Sequence, residues 1–491
     1  MVRCQTSAPW TSSPVRGLAV GLALALLGGC ALMPRPESGT ATAAVVPVPS
    51  AWSQSDAAIR PTPAGAELEA WWHRLGDPML DQLIREAMAS APDLRTAQAK
   101  LRQSRATRDL AGANLFPSLE ASASASRSMT GTKAGGSGNS RTLYAAGFDA
   151  SWEPSIFGGL RDAAQGAEAD AAAAAASLDA TRVSLAAEVA LEYVSLRAYQ
   201  RRLAIAAANV ASQVETLQIT DWRSQAGLAT TLDVEQARTN LEQTKASIPG
   251  LENVRAQAEH RLALLTGKPP AALRDRLREV KPLPTAPGDV AVGVPADTIR
   301  QRPDVRAAQL TLQGEIARTA EQEAARYPSL SLSGSLGWQS LSAAALGAGG
   351  SLARSLAASL ATTLFDGGRI RSRIARQGAV QEQALVAYEK SILTALEDVE
   401  NALAGYATGR QAVEARRKAA VSAANAATLA RTLYQAGATD FQKVLETDRT
   451  RLTAEDGLAT AEADVLVAVV SLYKSLGGGW QSAARGADEK S

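Results

Sequence analysis

Residues 178–217 read LDATRVSLAAEVALEYVSLRAYQRRLAIAAANVASQVETL, and they predict the main element of the fold. Its apolar line begins at Leu178 and Leu185 and continues at intervals of seven through Val189, Leu196, Leu203, Val210 and Leu217. A seven-residue apolar repeat is typical of helices that pack as a coiled coil. No proline interrupts residues 160–224. The pattern therefore predicts one helix of about 65 residues, roughly 98 Å long at 1.5 Å per residue.

Four motifs of the first half of the chain return in the same order in the second half. Pro92-Asp93-Leu94-Arg95 returns as Pro303-Asp304-Val305-Arg306, Phe116-Pro117-Ser118-Leu119 as Tyr327-Pro328-Ser329-Leu330, Ile156-Phe157-Gly158-Gly159 as Leu364-Phe365-Asp366-Gly367-Gly368, and Gln225-Ala226-Gly227 as Gln435-Ala436-Gly437. Four ordered matches at nearly one offset indicate an internal duplication of a domain-sized unit.

Each copy is predicted to contain a helix, two strands, a very long helix and a returning helix. The strands are predicted because apolar and polar side chains alternate along them. The predicted segments are helices 93–114 and 304–326, strands 118–126, 142–152, 329–339 and 351–365, long helices 160–224 and 369–436, and returning helices 231–265 and 440–476.

Four strands per chain cannot close on themselves, and an open sheet with an apolar face would aggregate through its edges. Two chains would give an eight-stranded barrel, and side chains fill the interior of a barrel of that size. Three chains would give twelve strands and leave a channel. The predicted fold class is mainly α with a β membrane part. Each chain is a protomer of a trimeric duct, with a 12-stranded barrel in the trimer, a long α-helical coiled-coil barrel and an internal two-fold repeat. The alternative is a four-stranded sheet packed on helices in a single soluble protein.

The N-terminus has the features of an export signal. Arg3 and Arg16 precede an apolar run, and small residues lead to Cys30. This arrangement predicts a signal peptide at 1–29. The segment is similar to a bacterial lipobox, which implies a covalent lipid on Cys30, with a diacylglycerol thioether and an N-acyl chain, and sorting to the outer membrane. The alternative is an ordinary cleaved signal in which Cys30 is incidental.

The remaining boundaries follow composition and the repeat. The prediction is a lipidated proline-rich tether at 30–65, a first repeat at 66–266, a proline-rich connector at 267–300, a second repeat at 301–480 and a polar tail at 481–491. The net charge of +2 comes from the two arginines before Cys30, so the rest of the chain is neutral. A neutral chain lacks the broad basic footprint of a nucleic-acid-binding protein.

No pattern of catalytic residues is present in the sequence. The chain has two histidines, and Cys30 is the only cysteine after the predicted signal, so a cysteine or histidine metal cluster is not expected. The sequence contains neither a Gly-x-Ser-x-Gly elbow nor a phosphate loop. We therefore expect no enzyme activity, no metal and no cofactor, and we expect a passive conduit.

The sequence resembles the TolC-like outer-membrane efflux factors, in particular the NodT-type lipoprotein branch associated with resistance-nodulation-division efflux systems. The resemblance covers about 66–480 and rests on Trp71-Trp72-His73-Arg74-Leu75-Gly76-Asp77-Pro78, Leu264-Leu265-Thr266-Gly267, Arg302-Pro303-Asp304-Val305-Arg306, Tyr327-Pro328-Ser329-Leu330 and Leu472-Tyr473-Lys474-Ser475-Leu476-Gly477-Gly478-Gly479-Trp480. It implies a homotrimer in the outer membrane that extends into the periplasm, docks a periplasmic adaptor and an inner-membrane pump, and exports drugs or small molecules.

The resemblance also implies an iris at the periplasmic tip. The turns around Gly227 and Gly437 are the predicted adaptor-docking points, and Asp440 and Glu446 are the candidates for an acidic ring. Lys443 is close enough in sequence to pair with one of these acids and so change the charge of the ring. The alternative role for Asp440 is a helix N-cap.

Two other functions remain open at this stage. The same duct could serve the secretion of proteins or peptides, or the chain could be a lipid-anchored coiled-coil scaffold without a pore. The transported substrates, the adaptor and pump, and the opening mechanism are not encoded in any motif of the chain.

Overall fold

A computed structural model describes residues 46–53, 59–60, 68–129 and 139–479. All of the elements below belong to one compact unit, residues 48–491. The predicted signal peptide, the lipidation site Cys30 and the polar tail lie outside the described residues, as does most of the loop between the first two strands.

Nine helices are present in the described part of the chain. They are α1 (Pro78–Ser90), α2 (Pro92–Ala113), α3 (Gly159–Gln225), α4 (Thr231–Leu265), α5 (Arg274–Leu277), α6 (Pro295–Gln301), α7 (Pro303–Ala324), α8 (Arg369–Gln435) and α9 (Phe441–Ser475). The six strands are β1 (Ile59–Arg60), β2 (Ser118–Met129), β3 (Ser140–Trp152), β4 (Val290–Ala291), β5 (Ser329–Ser340) and β6 (Leu352–Ala361).

The two copies of the repeat match in length. The long helices α3 and α8 have 67 residues each, and the returning helices α4 and α9 have 35 each. Each long helix begins after a glycine with a left-handed backbone, Gly158 at φ 90° and Gly368 at φ 87°, where a side chain would be strained. No helix among the described residues is both long enough and apolar enough to cross a membrane.

The four long strands form one antiparallel sheet in the order β2-β3-β5-β6, so that β2 and β6 are its edges. The sequence places β6 at 351–365, but the strand ends at Ala361. Its partner β5 begins at Ser329, directly after Pro328, which has no backbone N–H to extend the ladder. The prediction of a mainly α fold with two repeated β-hairpins is confirmed.

The register gives the sheet one apolar and one polar face. The apolar face carries Leu119, Ala121, Tyr144, Phe148, Trp152, Leu332, Leu336, Trp338, Leu352, Leu356 and Leu360. The polar face carries hydrogen-bonded pairs, with Ser122 donating to Asp149 at 2.9 Å and the hydroxyls of Ser335 and Ser355 at 2.7 Å. An apolar and a polar face are what a sheet needs to separate lipid from water.

The main core lies midway along the long helices, where α1 and the connector pack against α3. Trp71 is fully buried and stacks on Tyr473 from the end of α9, with ring centroids 5.2 Å apart. Arg197 of α3 is also buried, and its guanidinium donates to the carbonyl of Glu279 at 2.7 Å and to the hydroxyl of Tyr193 at 3.0 Å. The connector is thereby fixed to the first long helix.

The two copies meet along a seam between α3 and α7. Gly166 and Gly314 face each other there, and a Cβ added to Gly314 would lie 3.0 Å from the carboxylate of Asp170. Arg318 of α7 forms an ion pair with Asp170 at the same place. Burial raises the pKa of Asp170, and the neighbouring Arg318 opposes that rise. Two glycines without side chains let the helix backbones approach closely.

Candidate functional site

The candidate site is the pair of helical hairpin tips, where α3 turns into α4 and α8 turns into α9. Each turn contains a glycine with positive φ, Gly227 at 74° and Gly437 at 75°. The N–H of each glycine donates to the last helical turn at 3.0 Å, to Ser224 and to Tyr434 respectively. This left-handed glycine just beyond a helix end is a common helix stop, so both predicted tip residues end a long helix.

At the first tip, helix α4 begins with a capping box. The Thr230 hydroxyl accepts from the N–H of Asp233 at 3.2 Å, and the Asp233 carboxylate accepts from the N–H of Thr230 at 2.9 Å. The box satisfies two backbone donors at the start of α4. The carboxylate of Asp233 is therefore engaged in local structure.

At the second tip, helix α9 begins with a single N-cap residue, Asp440. The carboxylate of Asp440 accepts from the N–H of Lys443 at 3.0 Å and so caps α9. The ammonium of Lys443 pairs with Glu446 at 3.0 Å, while both side chains stay more than half exposed. Each chain therefore carries one net negative charge from these three residues, because the lysine offsets one of the two acids.

A buried carboxylate lies behind this tip, and the sequence reasoning missed it. Asp448 of α9 is 3% exposed and lies between two arginines, 3.4 Å from Arg431 and 3.9 Å from Arg451. Burial raises the pKa of Asp448, and the two guanidinium groups oppose that rise. The available signal is spacing, because Asp448 falls seven residues after Phe441 on the buried side of α9.

The two arginines also join the second copy to the first. Arg431 donates to the hydroxyl of Ser212 in α3, and Arg451 donates to the side-chain oxygen of Asn209 at 2.8 Å. Asn209 is itself buried. The tip of the second hairpin is thus held against α3 by a buried polar network.

Aromatic packing adds a second tie between the tips. Tyr434 and Phe441 are buried with ring centroids 5.5 Å apart, and the guanidinium of Arg223 lies 4.7 Å above the Tyr434 ring. Arg223 also donates to the carbonyl of Tyr434 at 3.0 Å. One arginine of α3 therefore covers the end of α8.

The first tip presents apolar side chains to solvent instead. Trp222, Leu228 and Leu232 are 59%, 68% and 65% exposed. Exposed apolar side chains grouped at one end of a molecule are typical of a contact surface for another protein. The two tips therefore differ, since Tyr434 and Phe441 at the second are buried, whereas these three side chains at the first are exposed.

The described residues hold no group of three or more His, Cys, Asp or Glu side chains arranged to bind a metal ion. The site therefore consists of two helical turns joined by the contact of Arg223 with Tyr434 and by the hydrogen bonds of Arg431 and Arg451 to α3.

Comparison with known proteins identifies similar chains along the whole length. The family model described as outer membrane efflux protein matches residues 83–268 and 294–478. The chain is 32% identical to the pyoverdine export outer membrane protein OpmQ of Pseudomonas aeruginosa, over 97% of this chain and 99% of that protein. It is 30% identical to the outer membrane protein OprJ of the same species, over 95% and 96%. Among solved structures, the outer-membrane channel OprN matches with a TM-score of 0.83 and 33% identity, over 89% of this chain and 98% of that one.

Proposed function

This chain belongs to the outer membrane efflux protein family, and on that premise we propose that it is the passive exit duct of a tripartite efflux pump. The observation that carries the proposal is the combination of two 67-residue helices with a sheet that has one apolar and one polar face. The sheet suits a membrane, and helices of this length reach roughly 100 Å beyond it. Energy for transport comes from the pump and not from this chain.

We place three copies of the chain in the duct. The edges of the sheet, β2 and β6, have no partner strand within the described part of one chain. Closure of β6 of one copy onto β2 of the next removes every edge, and three copies give a closed twelve-stranded sheet wide enough for a channel. The polar face then lines the passage and the apolar face contacts lipid.

The cargo is proposed to be small organic molecules. The relative OpmQ is a pyoverdine export protein by name, and OprN, the matched solved structure, is an outer-membrane channel. Selection of the substrate is assigned to the inner-membrane pump.

The first tip, with its exposed apolar side chains, and the turn at Gly437 are the proposed docking points for a periplasmic adaptor. A photocrosslinking amino acid in place of Ala438, an exposed residue of the second turn, tests this in living cells. We expect capture of the adaptor of an efflux pump. The same probe in place of Ser342, in the loop at the far end of the sheet, is the matched control and captures no periplasmic adaptor.

Capture of a secretion-system adaptor by the probe at Ala438 would contradict small-molecule efflux and indicate that the duct exports proteins. Capture of nothing from Ala438, Leu228 or Leu232, with all variants present in the outer membrane, would contradict docking at the tips and revive the scaffold interpretation.

Asp440 and Glu446 are proposed to line the narrowest point of the duct, with Lys443 tempering their charge. Asp440→Asn keeps a capping side chain, so Asp440→Asn with Glu446→Gln removes charge with little loss of helix structure. We expect this variant to lose cation preference in planar bilayers and to conduct more current, because repulsion among like charges and cation binding both disappear. Lys443→Gln should increase cation preference, because it removes the positive charge that offsets one of the two acids.

Asp233→Asn, at the first tip, is the control for this charge removal. Unchanged selectivity in both second-tip variants, or an equal change in the control, would remove these residues from the constriction.

The lipid anchor on Cys30 completes the proposal. Cys30→Ser should abolish incorporation of labelled palmitate, whereas Cys4→Ser, within the predicted signal, should leave it unchanged. Several acyl chains bind a membrane firmly, at about 0.8 kcal/mol per buried CH₂. Labelling that persists in Cys30→Ser would contradict the anchor.

A further inference from the structure

Two arginines lie on the apolar face of the sheet, one on each edge strand. Arg127 is opposite Thr142 in the β2–β3 ladder, and Arg354 is opposite Leu336 in the β5–β6 ladder. Both side chains are exposed. Arg127 donates to the hydroxyl of Ser140 at 3.0 Å. No acidic residue of the described strands shares this face, because Glu120 and Asp149 pair on the polar one.

Both arginines are close to the same rim of the sheet. Arg127 is two residues from the end of β2 at Met129, and Arg354 is two residues from the start of β6 at Leu352. At about 3.3 Å per residue, each lies roughly 7 Å inside the rim. At this rim β2 ends and β3 begins, and β5 ends and β6 begins, whereas the opposite rim joins the helices. In the proposed duct it faces the outside of the cell.

The internal repeat gives the register of the contact between chains. Within one chain β3 pairs with β5, and the positions of each pair sum to 484, as in Ala146 opposite Trp338. The matching motifs that contain Phe157 and Phe365 place β6 208 positions after β3. The matching motifs that contain Ser118 and Ser329 place β2 211 positions before β5. If β6 meets β2 of the next copy as β3 meets β5, the position numbers of each pair sum to 481, three fewer than within the chain, because the two offsets differ by three.

Arg354 and Arg127 satisfy that sum, so they become directly opposite each other at each chain-to-chain seam. Their equivalents within one chain are Ala146 and Trp338, an apolar pair on the same face. The repeat therefore places an apolar pair at the seam inside the chain and a pair of arginines at the seam between chains.

Two like charges directly opposite on neighbouring strands repel each other, and an arginine on a lipid-facing strand has a further cost unless it lies near the interface. A phosphate between the two guanidinium groups would remove both costs, since arginine binds phosphate oxygens in a bidentate manner. We propose that each seam binds the phosphate of an outer-leaflet lipid between Arg354 of one copy and Arg127 of the next. Three such sites surround the trimer.

This inference rests on the proposed trimer, so the first experiment separates the two. The chain has no cysteine beyond Cys30, which allows paired cysteines to be introduced without background. Arg127→Cys with Arg354→Cys should crosslink neighbouring chains on oxidation in whole cells. Arg354→Cys with Ala125→Cys, two positions out of register on the same face, is the matched control and should crosslink much less.

The second experiment measures the ligand on the purified trimer by native mass spectrometry. The probe is bisphosphorylated lipid A, with up to three molecules expected per trimer. Loss of a charge-assisted contact weakens binding by about tenfold, so Arg127→Gln with Arg354→Gln should weaken lipid A binding by about a hundredfold. Arg141→Gln removes the same charge at the same rim of the sheet but from the polar face, and it should leave binding unchanged.

Each failure has a different meaning. Crosslinking of Arg354→Cys to Ala125→Cys or Met129→Cys but not to Arg127→Cys would overturn the inference and leave the duct intact. No crosslink between any β2 and β6 cysteines would overturn the trimer as well. Equal binding of dephosphorylated lipid A, or equal competition by inorganic phosphate, would contradict a lipid-phosphate site.

Discussion

The long helices α3 and α8 are equivalent by the repeat, yet they are covered differently in the half that adjoins the sheet. Over 159–181, α3 buries Asp162, Gly166, Ala167, Ala171, Ala173, Ala176 and Leu178. Over 369–391, α8 buries only Gln377. The reason is that α3 packs against both α2 and α7, whereas α8 packs against α7 but has at most slight contact with α2. In the proposed trimer, α2 of a neighbouring copy covers this part of α8.

The two seams also differ in chemistry. Gly166 meets Gly314 within the chain, and the repeat equivalents of these residues are Arg376 and Gln103. Arg376 belongs to a stripe of exposed arginines on α8, together with Arg369 and Arg373. The seam inside the chain is therefore close and built from small residues. In the proposed trimer, the seam between chains contains longer polar side chains, such as Arg376 and Gln103.

The largest expected effect tests this difference directly. Gly314→Leu places a side chain against Asp170 and the carbonyl of Gly166, and overpacking of this kind costs about 3 kcal/mol. The melting temperature in detergent, followed by circular dichroism, should fall clearly. Gln103→Leu, at the equivalent exposed position, should leave the chain folded and change only the fraction of trimer. Equal loss of folded protein in both variants would show that the two seams are alike.

The tips provide the next comparison. Arg431 and Asp448 pair in the second copy. In the first copy the acid and the base exchange places, since Asp221 is equivalent to Arg431 and Arg238 is equivalent to Asp448. Arg238 is 55% exposed and pairs with Glu235 instead. Arg431→Met leaves Asp448 buried with one arginine, so the free energy of unfolding of the hairpin end should fall by about 2 kcal/mol. Hydrogen exchange of the α8 and α9 amides reports this loss.

Arg238→Met is the matched variant at the first tip. Since exposed ion pairs contribute about 0–1 kcal/mol, its amide exchange should stay close to that of the unmodified protein. Comparable exchange in the two variants would mean that the network at the second tip is not holding it closed.

The buried carboxyl at the second tip also predicts a pH dependence. The pKa of Asp448 is raised above 3.8 in the folded protein, so the folded state binds the proton more readily than the unfolded state. This contribution to stability is fully present below pH 3.8 and is lost as the pH rises through the raised pKa, at about 1.4 kcal/mol per unit of difference. The stability of the unmodified chain relative to Asp448→Asn should therefore increase on acidification through that window. A constant difference in urea unfolding across the window would contradict it.

The smallest expected effect concerns the caps. Loss of a capping side chain costs about 1 kcal/mol. Thr230→Ala should loosen the start of α4, and Asp440→Ala the start of α9, each seen as faster amide exchange in the first turn. Asp440→Asn should restore protection, because asparagine caps equally well. Failure of Asp440→Asn to do so would show that the charge of Asp440, and not its hydrogen bond to Lys443, stabilises the turn.

Much of this architecture could be predicted from the sequence because it follows local rules. The heptads and the glycines at 227 and 437 gave the ends of α3 and α8 to within one residue, and the alternation gave the faces of the sheet. The spacing from Phe441 was a signal for the burial of Asp448, but its partners could not be predicted, because Arg431 lies 17 residues earlier and Arg451 is bound to Asn209 in the other copy. Helix α1, with Leu80, Leu83, Ile84 and Ala87 buried, was not predicted, because its short apolar pattern lies between two prolines and precedes the repeated motifs from which the elements were assigned. The roles of Asp440, Lys443 and Glu446 at a constriction remain predictions, as does the lipid on Cys30.

The equal lengths of the two hairpins restrict how this gene can change. One residue added to α3 alone would turn everything beyond it by 100° and move its tip by about 1.5 Å. That tip would then be out of step with its partner, and threefold assembly would repeat the error around the ring. Insertions and deletions in these 67-residue helices should therefore be accepted by evolution only when both halves acquire them together. The duplication that built the chain continues to couple the mutational histories of its two halves.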